Sequence, residues 1–303
     1  MPCFNQGEYA QTCIDSLAGQ TFANWKAVLL DDASTDGISP TLCNEVRHPR
    51  VAVHHLTKNL GRALIRNEGV ARLGPVDYVL MVDCDDYLEP QYIEKLVAAL
   101  DAHPSAGLAY GLLHWVGDVK EGQKGLTWPT RLWSREAMFL ENDIPGPGVL
   151  FRKHALDEVT GWRADFTHCS GEDYDIWLQI VSAGWDAIWV KNARYNYRQH
   201  AQSFLATADQ EKAMQVRIGI LKNHRSEIAK RVGIRSYLRK TILPSLLAAI
   251  HRRDGNSFKR ISGPLLRICG PQLIFALAVY YFRRLPYASH EMCRNFLAKI
   301  GRQ

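Results

Sequence analysis

The sequence predicts an α/β fold in which a mostly parallel sheet is flanked by helices and followed by a helical, basic C-terminal region. Short apolar strand signals alternate with helical patterns of about ten residues over residues 1–115, as is typical of βαβ units. Residues 79–82 are four consecutive apolar residues, which suits a strand buried on both faces. Residues 211–303 contain 19 Lys and Arg against four Asp and Glu, although the whole chain has a net charge of only +6.

The elements of the first 115 residues follow from this alternation. Apolar strand signals cover residues 26–30, 51–56, 78–82 and 107–110. Helical spacing covers residues 8–17, 62–73 and 90–100, and the last of these opens with a proline, a residue favoured in the first turn.

Residues 116–170 are predicted to be a long loop, because glycine and proline cluster there, most densely at residues 145–148. Long loops near a site are more often functional than accidental. Helical spacing resumes at Asp173, a strand signal follows at 187–190, and the chain is predicted to be helical from about residue 210. We expect interruptions of that region at Pro244, Gly255, Pro264 and Pro271. The predicted domains are 1–208 and 209–303, and the first has two halves, 1–115 and 116–208.

The strand at 79–82 runs directly into Asp83, Cys84, Asp85 and Asp86. Ligands of open α/β sheets collect outside the carboxyl ends of the strands. Carboxylates packed this closely repel one another unless a cation neutralises them, and Mg²⁺ or Mn²⁺ with substrate phosphates is a common solution. The alternative is an acidic turn that caps the helix opened by Glu89 and Pro90.

Composition restricts the location of the chain. The seven cysteines are odd in number and form no C-x-x-C pair, so the sequence indicates neither a disulfide framework nor a zinc site. Residues 1–5 lack the basic and apolar segments of a leader, and the longest apolar run, 273–282, is half of the ~20 residues that span a bilayer. We therefore expect a cytoplasmic protein, with peripheral association at the inner face of the membrane as an alternative.

Several motifs occur in a recognisable order. They are Pro2-Cys3-Phe4-Asn5 with Glu8, residues 31–36, residues 59–69, Asp83-Cys84-Asp85-Asp86, residues 171–178 and Tyr197-Arg198-Gln199-His200. Over roughly residues 1–205 the chain thereby resembles a family 2 glycosyltransferase of the GT-A (Rossmann-like) fold. The resemblance implies a nucleotide-binding half at 1–115 and an acceptor-binding half at 116–208.

The resemblance also implies a donor site. Pro2, Phe4, Asn5 and Glu8 would lie beside the base of a nucleotide sugar, expected to be a UDP-sugar. Asp32 would accept hydrogen bonds from the base or ribose, and Arg66 would point towards the phosphates, where a guanidinium fits well. The alternatives are a helix-capping Asn5, a turn residue at Asp32 and a solvated helix face at Arg66.

Asp83 and Asp85 match the D-x-D pair that holds Mn²⁺ or Mg²⁺ on the diphosphate. Asp85 is expected to ligate the metal directly, whereas Asp83 would ligate it or reach the ribose or a metal-bound water. Asp86 is expected to be structural. His200 would be a further metal or phosphate contact, and imidazole suits Mn²⁺ better than Mg²⁺.

Asp173 matches the family's general base. A helix N-terminus favours an ionised carboxylate, so we expect Asp173 to be unprotonated near neutral pH. Glu172 and Gly148 are expected to bind the acceptor, a hydroxyl of a glycan or of a lipid-linked molecule. One base and no enzyme nucleophile imply inversion at the anomeric carbon, and the implied role is synthesis of a cell-surface polysaccharide or lipopolysaccharide.

The chain departs from the family pattern at its start. Only Met1 precedes Pro2 where the resemblance implies a whole apolar strand. We therefore expect the first strand to be missing or truncated, with a start further upstream as one explanation. The run Gly37-Ile38-Ser39-Pro40 also departs from the pattern, which affects a surface loop.

Beyond about residue 210 the family pattern stops. The basic tail is expected either to pack on the core or to dock on an anionic membrane surface through its apolar and aromatic residues, including those at 273–282. Nucleic acid is not an expected partner, because the tail has no recognised nucleic-acid motif. Two other functions compete with glycosyl transfer: a non-catalytic glycan- or nucleotide-binding module, and a sugar nucleotidyltransferase. The second expects a glycine-rich phosphate loop that residues 2–7 do not offer.

Overall fold

The structure is a computed structural model of the 303-residue chain. It describes residues 1–117, 127–129, 132–166, 171–200, 210–246 and 255–270. The chain divides into two compact units, one of Met1–Met138 with Asn142–Thr207 and one of Phe139–Glu141 with Ala208–Gln303.

The first unit contains every strand that the structure describes. In chain order the strands are β1 (Pro2–Cys3), β2 (Ala27–Asp31), β3 (Val51–His55), β4 (Tyr78–Leu80), β5 (Tyr87–Leu88), β6 (Ala106–Gly117), β7 (Thr127–Trp128), β8 (Leu150–Arg152) and β9 (Asp186–Gln199). Its α-helices are α1 (Gly7–Ala18), α2 (Ser39–Glu45), α3 (Gly61–Leu73), α4 (Tyr92–Ala102), α5 (Lys153–Asp157) and α6 (Glu172–Ser182).

Two sheets form from these strands. The first is parallel, in the order β1-β2-β3, and the second is mixed, in the order β4-β8-β6-β9-β5 with β7 beside β6. Among the strand pairs that the structure describes in the second sheet, only β6 and β9 run parallel. The α/β class is confirmed. The parallel character predicted from residues 1–115 is strongest in β1-β2-β3, and the antiparallel pairings involve the short strands β4, β5, β7 and β8.

Sequence periodicity locates the helices well and the later strands poorly. The predicted helices 8–17, 62–73 and 90–100 are confirmed as α1, α3 and α4. The loop predicted at 116–170 is wrong in part, because β7, β8 and α5 lie within it. These elements have two, three and five residues, too few for a period to be visible. Strand β9 has 14 residues in total and is longer than predicted, because residues 194–199 continue the parallel pairing with residues 112–117 of β6.

The first strand is short but present. Pro2 and Cys3 pair in parallel with Leu30 and Asp31 of β2. The N–H groups of Leu30 and Asp32 donate to the carbonyls of Met1 and Cys3, at 2.9 and 2.8 Å. The sequence led us to expect a missing or truncated first strand; the structure has a two-residue strand there, which places Phe4 and Asn5 at the carboxyl end of the sheet.

Helices cover both faces of β2. Leu29 packs in a large cluster with Ile14 of α1 and Leu96 of α4, whereas Val28 and Leu30 pack with Ile65 of α3. Successive side chains of a strand point to opposite faces. This double burial keeps β2 apolar until Asp31, so that polar groups first appear where the strand ends.

The second unit is helical in the part that the structure describes. Its helices are α7 (Gln210–Asn223), α8 (Arg225–Arg231), α9 (Ile234–Tyr237) and α10 (Gly255–Cys269), with a π-helical turn at Leu238–Ile242. Pro264 lies inside α10, so the interruption predicted there is wrong; a proline costs the helix one hydrogen bond and need not end it. Among the described residues no helix is both long and apolar enough to cross a bilayer. The apolar run 273–282, on which membrane docking was partly argued, lies outside the described residues.

Candidate active site

Asp83, Asp85 and Asp86 follow β4 at the edge of the second sheet, and each has a different environment. Asp86 has a structural environment. The side chain of Asp86 is buried, and it accepts hydrogen bonds from the Tyr195 hydroxyl at 2.7 Å and from the Arg198 N–H at 2.8 Å. Burial, followed by the charges of Asp85 and Asp83, raises the pKa of Asp86 well above its ordinary value. Asp86 therefore connects β9 to the acidic turn through these two hydrogen bonds, and this is a structural role.

Asp85 and His200 lie together although 115 positions separate them. Nε2 of His200 is 3.1 Å from Oδ2 of Asp85, which also accepts a hydrogen bond from the Gln6 amide at 3.0 Å. The His200 ring stacks on the Tyr9 ring at a centroid distance of 5.4 Å. The Arg198 guanidinium lies 4.9 Å from the centroid of the Tyr9 ring. Burial, then the charge of Asp83, raises the pKa of Asp85, and His200 opposes this. The fold thus joins two of the residues predicted to be metal ligands.

The donor atoms of this pair suit a divalent cation. One carboxylate oxygen and one imidazole nitrogen, with substrate phosphates and water, would make a set that accepts Mn²⁺. Within the described part of the chain, no three His, Cys, Asp or Glu side chains are grouped as a complete protein cage. The Asp85–His200 pair therefore offers two donor atoms of the kinds that a divalent cation accepts.

Asp173 stands in the first turn of α6, directly after Glu172. Burial raises the pKa of the Asp173 carboxyl to about 6, and Arg66 opposes that shift. The sequence led us to expect that the helix N-terminus would favour the ionised form, whereas burial acts on this carboxyl in the opposite direction.

Arg66 lies between the acidic turn and α6. Its side chain is 3 % exposed, and its guanidinium is 2.8 Å from Glu172, 3.4 Å from Asp83 and 3.6 Å from Asp173. Burial alone would lower the pKa of Arg66, but the three carboxylates raise it above its ordinary value. Arg66, predicted to reach the nucleotide, is thus placed among carboxylates, where it connects the D-x-D side of the site to Asp173.

Glu172, predicted to bind the acceptor, has no exposed surface. Its Oε1 contacts Arg66 and also Nε of Arg62, which is 3.2 Å away. In this structure Glu172 therefore holds two arginines in position, and an acceptor in solution does not reach it.

The predicted nucleotide-binding residues lie around the ends of β1 and β2. Phe4 is 43 % exposed, which leaves a free aromatic face at the edge of the sheet, and Glu8 is exposed on the first turn of α1. Asn5 has a φ of 55° and accepts hydrogen bonds from the N–H groups of Thr35 and Asp36. Asn5 therefore joins the loops after β1 and β2, and the N-cap of α1 is Gln6 instead.

Asp32 uses both carboxylate oxygens within the protein. They accept the N–H groups of Leu60 and Gly61 at 2.7 and 3.0 Å, which satisfies free donors at the start of α3. Burial is the largest influence on the pKa of Asp32 and raises it, while these two hydrogen bonds oppose the rise. Asp32 therefore anchors the helix that carries Arg66, a role different from the turn considered as its alternative.

The two glycines of the 145–148 loop, Gly146 and Gly148, have different structural roles. Gly148 is buried at a φ of 78°, its carbonyl accepts the Tyr92 hydroxyl, and a Cβ there would lie 2.6 Å from the Tyr195 ring. Gly148, predicted to contact the acceptor, is thus a packing position. A Cβ on Gly146 would lie 2.5 Å from Oδ2 of Asp173, so the lack of a side chain leaves room for that carboxylate.

We predict that Gly146→Ala displaces the Asp173 carboxylate and lowers turnover by about tenfold or more, since small errors in position at a reacting group are costly. The measurement is the rate of nucleotide release from a sugar donor, beside the thermal unfolding midpoint. Gly184→Ala is the control, because among the described residues no atom outside its two chain neighbours lies within 4 Å of its Cβ position, although its φ of 106° will lower stability. Unchanged turnover in Gly146→Ala would contradict the prediction.

Several residues of the site carry no sequence signal that identifies them. Gln6, Tyr9, Tyr195 and Gly146 contact predicted site residues, but they lie outside any spacing that suggests the contact. Arg198 lies within the Tyr-Arg-Gln-His motif, so its position near the acidic turn could have been anticipated.

Comparison of the sequence with known proteins finds a matching family model and several relatives. The model of Glycosyl transferase family 2 matches residues 1–160. The putative teichuronic acid biosynthesis glycosyltransferase TuaG of Bacillus subtilis is 32% identical over 198 residues, which are 65% of this chain and 76% of TuaG. The chain spans 18%, 14% and 60% of the length of the first three curated relatives it matches.

Solved structures show the fold. TarS 1-349 of S. aureus in complex with UDP-GlcNAc has a TM-score of 0.64 at 16% identity, covering 98% of this chain and 90% of the TarS 1-349 chain. The mannosyltransferase PcManGT from Pyrobaculum calidifontis, in complex with GDP-Man and Mn2+, has a TM-score of 0.56 at 17% identity, covering 99% and 82%. These similarities confirm the predicted GT-A architecture.

Proposed function

Because the chain belongs to glycosyl transferase family 2, we propose that it transfers a sugar from a nucleoside diphosphate donor, expected to be a UDP-sugar, to a hydroxyl of a glycan or lipid-linked acceptor. One observation carries this proposal. Arg66 contacts Asp83 of the D-x-D turn and Asp173 of α6, so that one buried guanidinium connects the donor and acceptor sides. Inversion follows, since the residues proposed for the reaction include a base and no nucleophile.

The donor side of the proposal rests on the ends of β1 and β4. Phe4 offers an exposed ring to the base, and the loop that Asn5 holds would surround the nucleoside. Asp85 and His200, with Asp83 beside them, would hold Mn²⁺ or Mg²⁺. When bound, that ion supplies positive charge to the departing diphosphate.

The acceptor side of the proposal rests on Asp173. Its carboxylate takes the proton of the attacking hydroxyl, a task for which a pKa of about 6 is well matched at neutral pH. Arg66 and Glu172 orient it and exclude water from behind it. We propose residues 1–115 as the nucleotide-binding half, 116–208 as the acceptor-binding half, and synthesis of a surface polysaccharide as the context, which the name of TuaG supports.

The test is nucleotide release. The full chain is incubated with UDP-GlcNAc, other UDP-sugars and GDP-Man, with Mn²⁺, with Mg²⁺ or with EDTA. Release that depends on the metal and on one donor supports the proposal. Tight nucleotide binding without release from any donor would support the non-catalytic binding module instead, and release of pyrophosphate from a sugar phosphate and a nucleoside triphosphate would support a nucleotidyltransferase.

We predict that Asp85→Asn weakens UDP binding in Mn²⁺ by about 10- to 100-fold, since a neutral amide is a poorer ligand for a hard cation. Isothermal titration with UDP measures this. In EDTA the variant and the parent should bind UDP alike, which separates loss of the metal from loss of the fold. Equal affinities of the variant and the parent for UDP in Mn²⁺ would show that Asp85 is not a metal ligand.

We predict that His200→Ala weakens UDP binding more in Mn²⁺ than in Mg²⁺, because imidazole suits Mn²⁺ better than Mg²⁺. The same titration with UDP, carried out with each metal, measures this difference.

A further inference from the structure

The start of α1 contacts both members of the Asp85–His200 pair. Gln6, the N-cap residue of α1, donates from its side-chain amide to Oδ2 of Asp85 at 3.0 Å. Tyr9 lies in the first turn, and its ring stacks on the His200 ring with the two planes 26° apart. Because residues three apart lie on the same side of a helix, one short piece of chain supports the carboxylate and the imidazole together.

The contact with Tyr9 restricts the plane of the His200 ring. An imidazole uses its two nitrogens for hydrogen bonds and for metal binding, and both lie in the plane of the ring. Nε2 of His200 is 3.1 Å from Asp85, and the two side chains are only 11% and 10% exposed. A ring that lies on Tyr9 cannot tilt without losing the stacking contact. The stack therefore keeps Nε2 directed towards Asp85.

Arg198 contacts the same Tyr9 ring but is also held by other groups. Its guanidinium lies 5.6 Å from the centroid of a second ring, that of Tyr87. Its Nε donates to the Asp85 carbonyl at 2.8 Å, and its backbone N–H donates to the Asp86 carboxylate at 2.8 Å. These two hydrogen bonds remain when the Tyr9 ring is removed, so we expect its loss to disturb Arg198 little.

We propose that Tyr9 is a positioning residue for the metal: its ring holds the His200 imidazole in the orientation that lets His200 and Asp85 bind one divalent cation. This inference rests on the proposed function, in which that pair holds Mn²⁺ or Mg²⁺ on a diphosphate. Groups that orient metal ligands typically change metal affinity by about 10- to 100-fold. A single aromatic stack is a weaker support, so we expect an effect of about three- to tenfold.

The first measurement reads the orientation of the His200 ring in the full chain without metal. In EDTA the Tyr9 ring should shift the Hε1 proton resonance of His200 upfield, and the signal missing from His200→Ala identifies that proton. Tyr9→Leu should abolish the shift and should fold, since leucine is a good helix former. Tyr9→Phe keeps the ring and should keep the shift. An Hε1 resonance at the parent position in Tyr9→Leu would overturn the proposal, whatever the protein catalyses.

The second measurement is the dissociation constant of UDP, by isothermal titration in Mn²⁺ and in EDTA. We expect Tyr9→Leu to weaken binding about three- to tenfold in Mn²⁺ and not in EDTA, and Tyr9→Phe to match the parent in both. Tyr87→Leu is the matched control, because it removes the other ring beside Arg198 and leaves the ring on His200 in place. Equal losses in Tyr9→Leu and Tyr87→Leu would assign the effect to Arg198 and contradict the proposal.

A double variant tests whether Tyr9 acts through His200. Added to His200→Ala, Tyr9→Leu should cause no further loss of UDP affinity in Mn²⁺, and a loss as large as in the parent would overturn the proposal. Failure of the proposed function gives a different pattern: the parent would bind UDP equally in Mn²⁺ and in EDTA, and the inference would fail with it. Metal-dependent binding in the parent that Tyr9→Leu leaves unchanged would overturn the inference alone.

Discussion

Asp173→Asn should lower the rate of sugar transfer by about 10²- to 10⁴-fold, the contribution expected of a general base. The amide keeps the size of the side chain, so the room beside Gly146 is still used and the position on α6 does not change. Binding of the donor nucleotide should be retained, since Asp85, His200 and Phe4 are untouched. The measurement is the initial rate of nucleotide release, together with the dissociation constant of UDP.

The rate of nucleotide release should also depend on pH, because Asp173 acts as a base only when its carboxyl is ionised. The pKa of Asp173 is raised to about 6, and only the ionised form accepts a proton, so activity should rise as pH increases through about 6. Asp173→Glu retains a carboxylate and serves as the chemical control, although its extra methylene meets the crowded space at Gly146. If Asp173→Asn kept more than a tenth of the parent rate, the base would have to be sought elsewhere.

Removal of Arg66 should have the largest effect on stability among the substitutions considered for this site. Arg66→Gln leaves Glu172 without its closest partner and brings Asp83 and Asp173 together without a neutralising charge. Because Arg66 and Glu172 are buried, breaking the pair should cost about 3–5 kcal/mol of unfolding free energy. Denaturant unfolding of the full chain measures this change.

The pH profile separates a positioning role of Arg66 from a purely structural one. Arg66 holds the pKa of Asp173 below the value that burial alone would give, so its removal should move the acid limb of the activity to higher pH. Arg66→Lys keeps the charge and should restore most of that limb while losing the contacts of a planar guanidinium. Arg62→Gln is the matched control: Arg62 also contacts Glu172 but is 40% exposed, so a small effect is expected. If the acid limb of the pH–activity profile did not shift in Arg66→Gln, Arg66 would have only a packing role and would not position Asp173.

Much of the fold could be predicted, because it depends on patterns that local sequence carries. Burial on both faces requires the unbroken apolar run at 79–82, and helical spacing is visible wherever a helix is ten residues or longer. Strands β5, β7 and β8 have only two or three residues, so they carry no period, and they form because β9, β6 and β4 offer them edges. Tertiary pairing creates these strands.

Some residues of the candidate site could likewise be predicted from the sequence, whereas the partners of these residues could not. The acidic residues after β4 and at the start of α6 could be found from the sequence, because carboxylates are costly to bury and concentrate where apolar elements end. Their partners could not be found. Asp85 contacts His200 across 115 positions, and Arg66 contacts Glu172 across 106. No spacing in the chain relates such residues.

The sequence by itself determined the α/β class, the family and the acidic groups that the proposed chemistry requires, because each depends on residues near one another along the chain. Only the tertiary structure decided that Arg66 faces carboxylates, that Glu172 is buried and that Asp32 anchors α3. The physical reason is that burial and charge pairing depend on which elements pack together, and packing brings distant parts of the chain into contact.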